Sequence, residues 1–157
     1  MQICYDQEFP EATREMTLKG AEIVCELMAW EHFIGDTLEE EGKRVGYPVE
    51  QFGIVRAMEN QIYFVTSNMV GKNEMGDFCG ASQIVDPNGL VLASCGTEEC
   101  IVYADVDVRE GIISNRATWL LKCVKDRKPH AYKCLANAQN LQGMTPLQDK
   151  DNIAEIK

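Results

Sequence analysis

The alternation of apolar and polar positions divides the chain into a β-α-β-α-β-β-β-β-α order. Ile3 and Cys4 read as the end of a strand. PEATREMTLKGAE follows as a helix: Pro10 suits its first turn, Glu11 its positive end and Gly20 its stop. Ala12, Met16 and the stem of Lys19 share one face of it. Ala21–Trp30 is an apolar run of strand length. Residues 31–47 are polar and acidic, and read as a loop with a short helical piece around Leu38. After Pro48, VEQFGIVRAMENQ sets Phe52, Val55 and Met58 at helical spacing. Ile62–Asn68 reads as a strand and VGKNEMGDF as a turn-rich loop. From there the period becomes two. GASQIVDPNGLVLAS predicts a hairpin turning at Asp86-Pro87-Asn88-Gly89, and Cys100–Val108 a further strand. A helix over 109–122 follows, then a polar, aperiodic tail from Lys125.

This order predicts an α/β fold, a mixed sheet with two helices on one face. The other face needs a cover too. One late helix and a tail are all the chain offers for it, so a partner layer is expected from outside.

Composition narrows the function classes. The 157 residues are 45% hydrophobic and 25% charged, as in one ordinary globular domain. The net charge is −10 and no stretch concentrates Lys and Arg, so neither nucleic acid nor an anionic membrane is an expected partner. No apolar run approaches the roughly 18 residues of a spanning helix. The start, MQICYDQEFPE, lacks the basic and apolar regions of a secretory signal, and a cytoplasmic location is expected. Seven cysteines without a CxxC pair, and only His32 and His130 beside them, predict reduced thiols and no metal site. Cys79, Cys95 and Cys100 are expected to pack as small hydrophobes, and His32 to be a solvated loop residue.

The chemistry concentrates at Ile3-Cys4-Tyr5-Asp6-Gln7-Glu8-Phe9-Pro10-Glu11. A strand that delivers a cysteine to a sharp turn before a helix exposes the thiol and aims backbone N–H groups at its target. The bland alternative is a buried strand cysteine. A free thiol is only a few per cent ionised at pH 7, so Cys4 needs a base and a cation from elsewhere.

Three motifs decide between these. CYDQEFPEATREMTLKGAEIV resembles the nucleophile segment of the nitrilase superfamily of carbon–nitrogen hydrolases through Cys4, Tyr5, Asp6, Phe9, Pro10, Glu11, Arg14, Gly20 and Ala21. VRAMENQIYFVTSNMVG is similar to a second family segment through Arg56, Ala57, Glu59, Asn60, Val65, Asn68 and Gly71. FCGASQIVDPNGLVLAS resembles a third through Phe78, Gly80, Ser82, Ile84, Asp86, Pro87, Gly89, Val91 and Ala93. LKCVKDRKPHAY looks like the family's basic-proline element.

The resemblance implies half or more of an α-β-β-α sandwich, with a hydrolase portion over 1–124 and a docking or oligomer-forming tail over 125–157. It implies attack by the Cys4 thiol on an amide, nitrile or carbamoyl carbon and hydrolysis of the resulting thioester, without a cofactor. The Tyr5 N–H would be one oxyanion donor. Family members draw their general-base glutamate, a supporting glutamate and the oxyanion lysine from segments before the cysteine. Three residues precede Cys4 here, so these groups are expected from a complementing N-terminal half, and the chain alone is expected to be inactive. Glu11 and Lys19 are not stand-ins for them.

Trp30, Asn68 and Gly71 are candidate pocket residues, against the alternatives of core and strand-end turn. Arg56 and Glu59, three apart on a helix, read as a structural ion pair. Glu8 stands where many members have Arg, Cys25-Glu26-Leu27-Met28 replaces an apolar-Pro-small run, and 31–47 looks inserted; the substrate therefore stays open. Beside the enzymatic reading stand a non-catalytic module that joins a full-length relative as an oligomer, and a thiol-redox protein.

Overall fold

The computed structural model describes residues 1–31, 38–40, 43–45, 49–117, 122–132 and 135. The chain forms two compact units, Met1–Lys125 and Asp126–Lys157. In the first, β1 (Gln2–Ile3) enters a 3-10 turn, Cys4–Glu8, and then α1 (Pro10–Leu18). β2 (Ile23–Met28), β3 (Leu38–Glu40), β4 (Lys43–Val45), α2 (Val49–Asn60) and β5 (Tyr63–Asn68) follow. β6 (Val70–Asn73), β7 (Gly76–Cys79), β8 (Gln83–Val85), β9 (Val91–Ser94) and α3 (Val108–Ala117) complete it. In the second unit the described residues hold one short 3-10 turn, Pro129–Ala131. No described helix is long and apolar enough to cross a membrane.

The main sheet runs β1-β2-β5-β8-β9, parallel through its first three strands and antiparallel after β5. Period-two burial in β2 divides the sheet into two unlike faces. Val24, Phe64 and Val85, which are register partners, point under the helices and join Ala57 and Ile62 in a core flanked by Met16, Ala21, Ile54 and Val91. Each fully buried apolar side chain contributes about 1.5–3 kcal/mol. On the opposite face Ile3 is 59%, Ile23 44% and Leu27 51% exposed, with Cys25 exposed between them. At the β1–β2 end that face is open among the described residues, whereas Tyr63, the register partner of Ile23, is buried where Gly111 of α3 packs on it.

Four local expectations change. VGKNEMGDF is a hairpin, β6–β7, not a loop. Its β6 residues are mostly solvent-facing, so no apolar alternation announces the strand. Leu38 lies in the β3–β4 hairpin rather than in a helical piece; 32–37, 41–42 and 46–47 of that predicted loop lie outside the described residues. Residues 101–107 pair with no strand among the described residues, although their apolar positions alternate as predicted: Ile101 is 78% and Tyr103 80% exposed, while Val102 and Ala104 are half-buried. On α2 the expected face is turned outward. Val55 and Met58 are exposed, and Val49, Gly53, Arg56, Ala57 and Asn60 face the sheet. Gly53 is required there, since a Cβ would stand 2.8 Å from Gln83 Nε2.

Cys95 and Cys100 form a disulfide, correcting the expectation that they pack as reduced thiols. It bridges the end of β9 to the start of the unpaired segment.

The predicted helix over 109–122 begins at Val108 and is described to Ala117; 118–121 lie outside the described residues. Asp107 caps it by accepting from the Glu110 N–H at 2.9 Å. Asn115 pins it to the β8–β9 turn by donating to Asn88 Oδ1 at 2.7 Å, and accepts from Gln61 Nε2 at 2.7 Å. A Cβ on Gly111 would collide with the hydroxyl and ring of buried Tyr63. Gly→Ala inside a helix normally gains up to about 1 kcal/mol, but overpacking a buried contact costs about 1–3 kcal/mol. Gly111→Ala is therefore expected to destabilise the chain, and a rise in its urea midpoint would show the contact to be slack.

Candidate active site

Local sequence builds an elbow around Cys4. β1 is only two residues long and its partner β2 holds it in parallel register, Gln2 to Glu26 and Ile3 to Leu27. At Cys4 the backbone turns to φ +49°, a left-handed conformation that side-chain-bearing residues adopt rarely and at an energetic cost. The Asp6 carboxylate closes the turn by accepting from the Ile3 N–H at 2.9 Å. Tyr5, next in the 3-10 turn, has an N–H of the kind a helical start leaves without an internal partner. Its ring is 64% exposed and stacks edge-on against Phe9, centroids 5.3 Å apart.

Two groups anchor the turn from behind. Arg56, 5% exposed, donates to the Gln7 carbonyl from Nε at 3.1 Å and Nη2 at 2.7 Å. Its Nη1 meets Glu59 Oε1 at 3.0 Å, the pair expected from their spacing. Arg14 of α1 donates to the Glu59 carbonyl. The sequence shows the 56–59 pair but has no signal for a contact 49 residues away, so the tie to the nucleophile turn is found only in the fold.

The thiol of Cys4 is half-buried and packs on a cluster of Met28, Trp30 and Val49, with Cys79 and Ala81 alongside. Trp30, 8% exposed, lies just beyond the end of β2. Asn68 ends β5 and uses its whole amide on neighbouring chain: Oδ1 accepts from the Trp30 N–H at 2.7 Å, and Nδ2 donates to the carbonyls of Gly80 at 2.8 Å and Trp30 at 3.3 Å. Cys4, Trp30 and Asn68 are thus brought to one end of the sheet. Gly71 stands apart on the β6–β7 hairpin opposite Phe78, at φ +79°. Glu31, not singled out in the sequence, joins this end through a bridge to Phe78, with its carboxyl over Gly76. Gly80 has no alternative at φ +65°, because a Cβ would strike the Gly96 carbonyl.

A sequence model described as carbon-nitrogen hydrolase matches residues 1–112. The chain belongs to the carbon–nitrogen hydrolase family. Among relatives of that family it is 36% identical over 113 residues to the 2-oxoglutaramate amidase of Bacillus subtilis, covering 69% of this chain and 38% of the relative. It is 34% identical over 155 residues to the N-carbamoylputrescine amidase of Solanum tuberosum, covering 93% and 48%. The fold matches a carbon-nitrogen hydrolase from Helicobacter pylori with a TM-score of 0.71 at 30% identity, over 87% of this chain and 48% of that one. It also matches an amidase from Nesterenkonia sp., TM-score 0.62 at 26% identity, over 84% and 41%. That structure is of a mutant of the amidase and shows covalent addition of the acetamide moiety of fluoroacetamide at its active-site cysteine. The chain therefore spans about half or less of the length of these relatives, and its five-stranded mixed sheet with helices is a partial nitrilase-type fold.

Proposed function

We propose that this chain supplies the nucleophile of a thiol-dependent hydrolase acting on a non-peptide C–N bond in an amide, nitrile or carbamoyl substrate. One observation carries the reading: a cysteine held at φ +49° on a tight turn between a sheet strand and a helix, inside a family in which a Nesterenkonia amidase takes the acetamide moiety of fluoroacetamide covalently on its active-site cysteine. With an amide or carbamoyl substrate, Cys4 passes its thiol proton to the general base, Sγ attacks the carbonyl carbon, and the C=O electron pair moves to oxygen, where the Tyr5 N–H donates; a nitrile reaches the thioester only after water adds to its thioimidate. Collapse of that adduct breaks the C–N bond, ammonia or an amine leaves with a proton, and water cleaves the thioester. Trp30 shapes the floor beside the thiol. Asn68 positions Trp30 rather than touching substrate, and Gly71 lets the hairpin turn away.

The proton-handling glutamate and the oxyanion lysine come, in this reading, from the part of the relatives' length that this chain does not span, which also covers the open face of Ile3, Ile23 and Leu27. Without them the chain turns over slowly, since removing one such donor costs about 10²–10³ in rate. The site needs no cofactor, its substrate is a small molecule, and the working form is a cytoplasmic oligomer. A second reading, a non-catalytic module that docks on a full-length relative, draws on the same open face and on the unpaired residues 101–107.

Fluoroacetamide distinguishes the two. Mixed with the N-terminal half of a relative, the chain should gain an acetamide-sized mass that maps to Cys4, with ammonia or amine released from amides, and Cys4→Ala should lose both. A folded complex that takes up no label and releases no ammonia leaves the docking module as the better reading. Ordinary turnover by the chain alone would overturn the requirement for a second half.

A further inference from the structure

Beneath the elbow lies a carboxyl group that the reaction does not use. Glu26 is in the middle of β2, 1% exposed, on the side of the sheet that faces the helices. Its register partners are Gln2 on β1 and Thr66 on β5, both buried, and Thr66 continues the row to buried Gln83 on β8. Among the described residues neither Glu26 oxygen has a hydrogen-bond partner, and neither do Gln2 Nε2 and both ends of the Gln7 amide. Gln2 Oε1 is engaged, accepting from Thr13 Oγ1 at 3.0 Å.

The charges around Glu26 are unbalanced. From the 3-10 turn it faces Asp6 and Glu8, and from α2 it faces Arg56. Arg56 already directs its nitrogens to the Gln7 carbonyl and to Glu59. From α1, Arg14 is turned to the Glu59 carbonyl. β1 and β5 present only neutral Gln2 and Thr66. A buried carboxylate with two like charges nearby and no donor of its own is unfavourable, whereas the neutral acid adds an O–H donor and keeps an acceptor for an amide N–H. Burial, reinforced by Asp6 and Glu8 and opposed by Arg56, pushes the Glu26 carboxyl up to about 7.

The same layer holds both flanks of the nucleophile. Gln2 lies two residues before Cys4, and Asp6, Gln7 and Glu8 lie two to four after it. A negative charge on Glu26 repels Asp6, whose carboxylate closes the elbow on the Ile3 N–H.

We propose that Glu26 is a proton-operated positioning residue of the nucleophile elbow: its neutral carboxyl seats the Cys4–Glu8 turn on β2, and its ionisation loosens that turn and the placement of the thiol. This deepens the reading of Cys4 as nucleophile and rests on it. Glu26 touches no substrate; it acts through the turn.

Two measurements on the full chain test it. The first follows the Glu26 side-chain carboxyl carbon by NMR across pH, assigned by its loss in Glu26→Gln. The second follows alkylation of Cys4 by iodoacetamide, mapped by mass and divided by the thiolate fraction at each pH. A carboxyl titrating near 7, with a several-fold fall in reactivity per thiolate over the same interval that Glu26→Gln abolishes, supports the proposal. A carboxyl titrating in the ordinary carboxylate range overturns it without the use of any variant. So do superimposable alkylation profiles for wild type and Glu26→Gln. If the inflection is present but Cys4 accepts no acyl group in the complemented protein, the coupling stands and the nucleophile reading falls.

Discussion

Arg56→Ala should lower the unfolding free energy by about 3–5 kcal/mol, the range for breaking a buried charge network from one side. Three losses add up in one place. The Gln7 carbonyl loses two donors at 2.7 and 3.1 Å, and a buried carbonyl without a partner costs about 1–3 kcal/mol. Glu59 loses its ion pair. Glu26 loses the cation that opposes its repulsion by Asp6 and Glu8. The guanidinium also lies 5.7 Å from the Phe52 ring centroid, so packing is lost with the charge. Arg56→Lys should recover only part of this, because one ammonium cannot reproduce the paired donation to a single carbonyl. Urea unfolding of the three proteins measures it. A loss for Arg56→Ala below about 1 kcal/mol, the worth of an exposed ion pair, would show that Arg56 does not hold the elbow.

The second large effect is a fall in stability between mildly acidic and neutral pH. Glu26 has its carboxyl raised in the folded chain from 4.5 to about 7. A folded state that holds a proton more tightly than the unfolded chain binds more protons between those values. Unfolding free energy then decreases as pH rises. The contribution of Glu26 is fully present below about 4.5, declines as pH climbs through 7 and is absent above it. At about 1.4 kcal/mol per unit the interval is worth about 3 kcal/mol. Glu26→Gln, which keeps the neutral shape at every pH, should flatten that part of the curve and leave the variant more stable than wild type at pH 8. Parallel stability curves for the two proteins would place the charge of Glu26 in a solvated setting. This profile is opposite in sign to that of a salt-bridged carboxylate, which loses its contribution on acidification.

The elements with strong local signals were legible in the chain. Pro10 and Gly20 bracket α1, Asp86-Pro87-Asn88-Gly89 turns the β8–β9 hairpin, and the elbow at Cys4 falls where the motif puts it. The misread face of α2 has a physical origin. Periodicity assumes that apolar side chains turn inward, but here the inward face is made of small and polar groups, Gly53, Ala57, Arg56 and Asn60, which serve close packing and the anchor on Gln7. The apolar Val55 and Met58 instead line a groove of about 380 Å³ with Pro87, Asn88 and Cys123. At the site, the convergence of Cys4, Trp30 and Asn68 follows from the sheet order β1-β2-β5, which the fold shows and the element order along the chain does not fix. The row Gln2-Glu26-Thr66-Gln83 depends on register between strands far apart in sequence, and no local pattern encodes register. The departure at Glu26 was visible as a residue; its burial was not.

The unpaired segment 101–107 has a consequence for how copies of the chain treat one another. Unpaired backbone with exposed Ile101 and Tyr103 offers hydrogen-bonding groups for cross-β self-association. Here Glu98 and Glu99 precede it and Asp105 and Asp107 lie within it, so two identical segments meet with like charges and repel. The guard is electrostatic and reaches about 10 Å at 0.1 M ionic strength, shrinking to about 3 Å at 1 M. Colloidal solubility of this chain is therefore a property of the buffer as much as of the fold, and a basic strand could pair with backbone that an identical copy is denied.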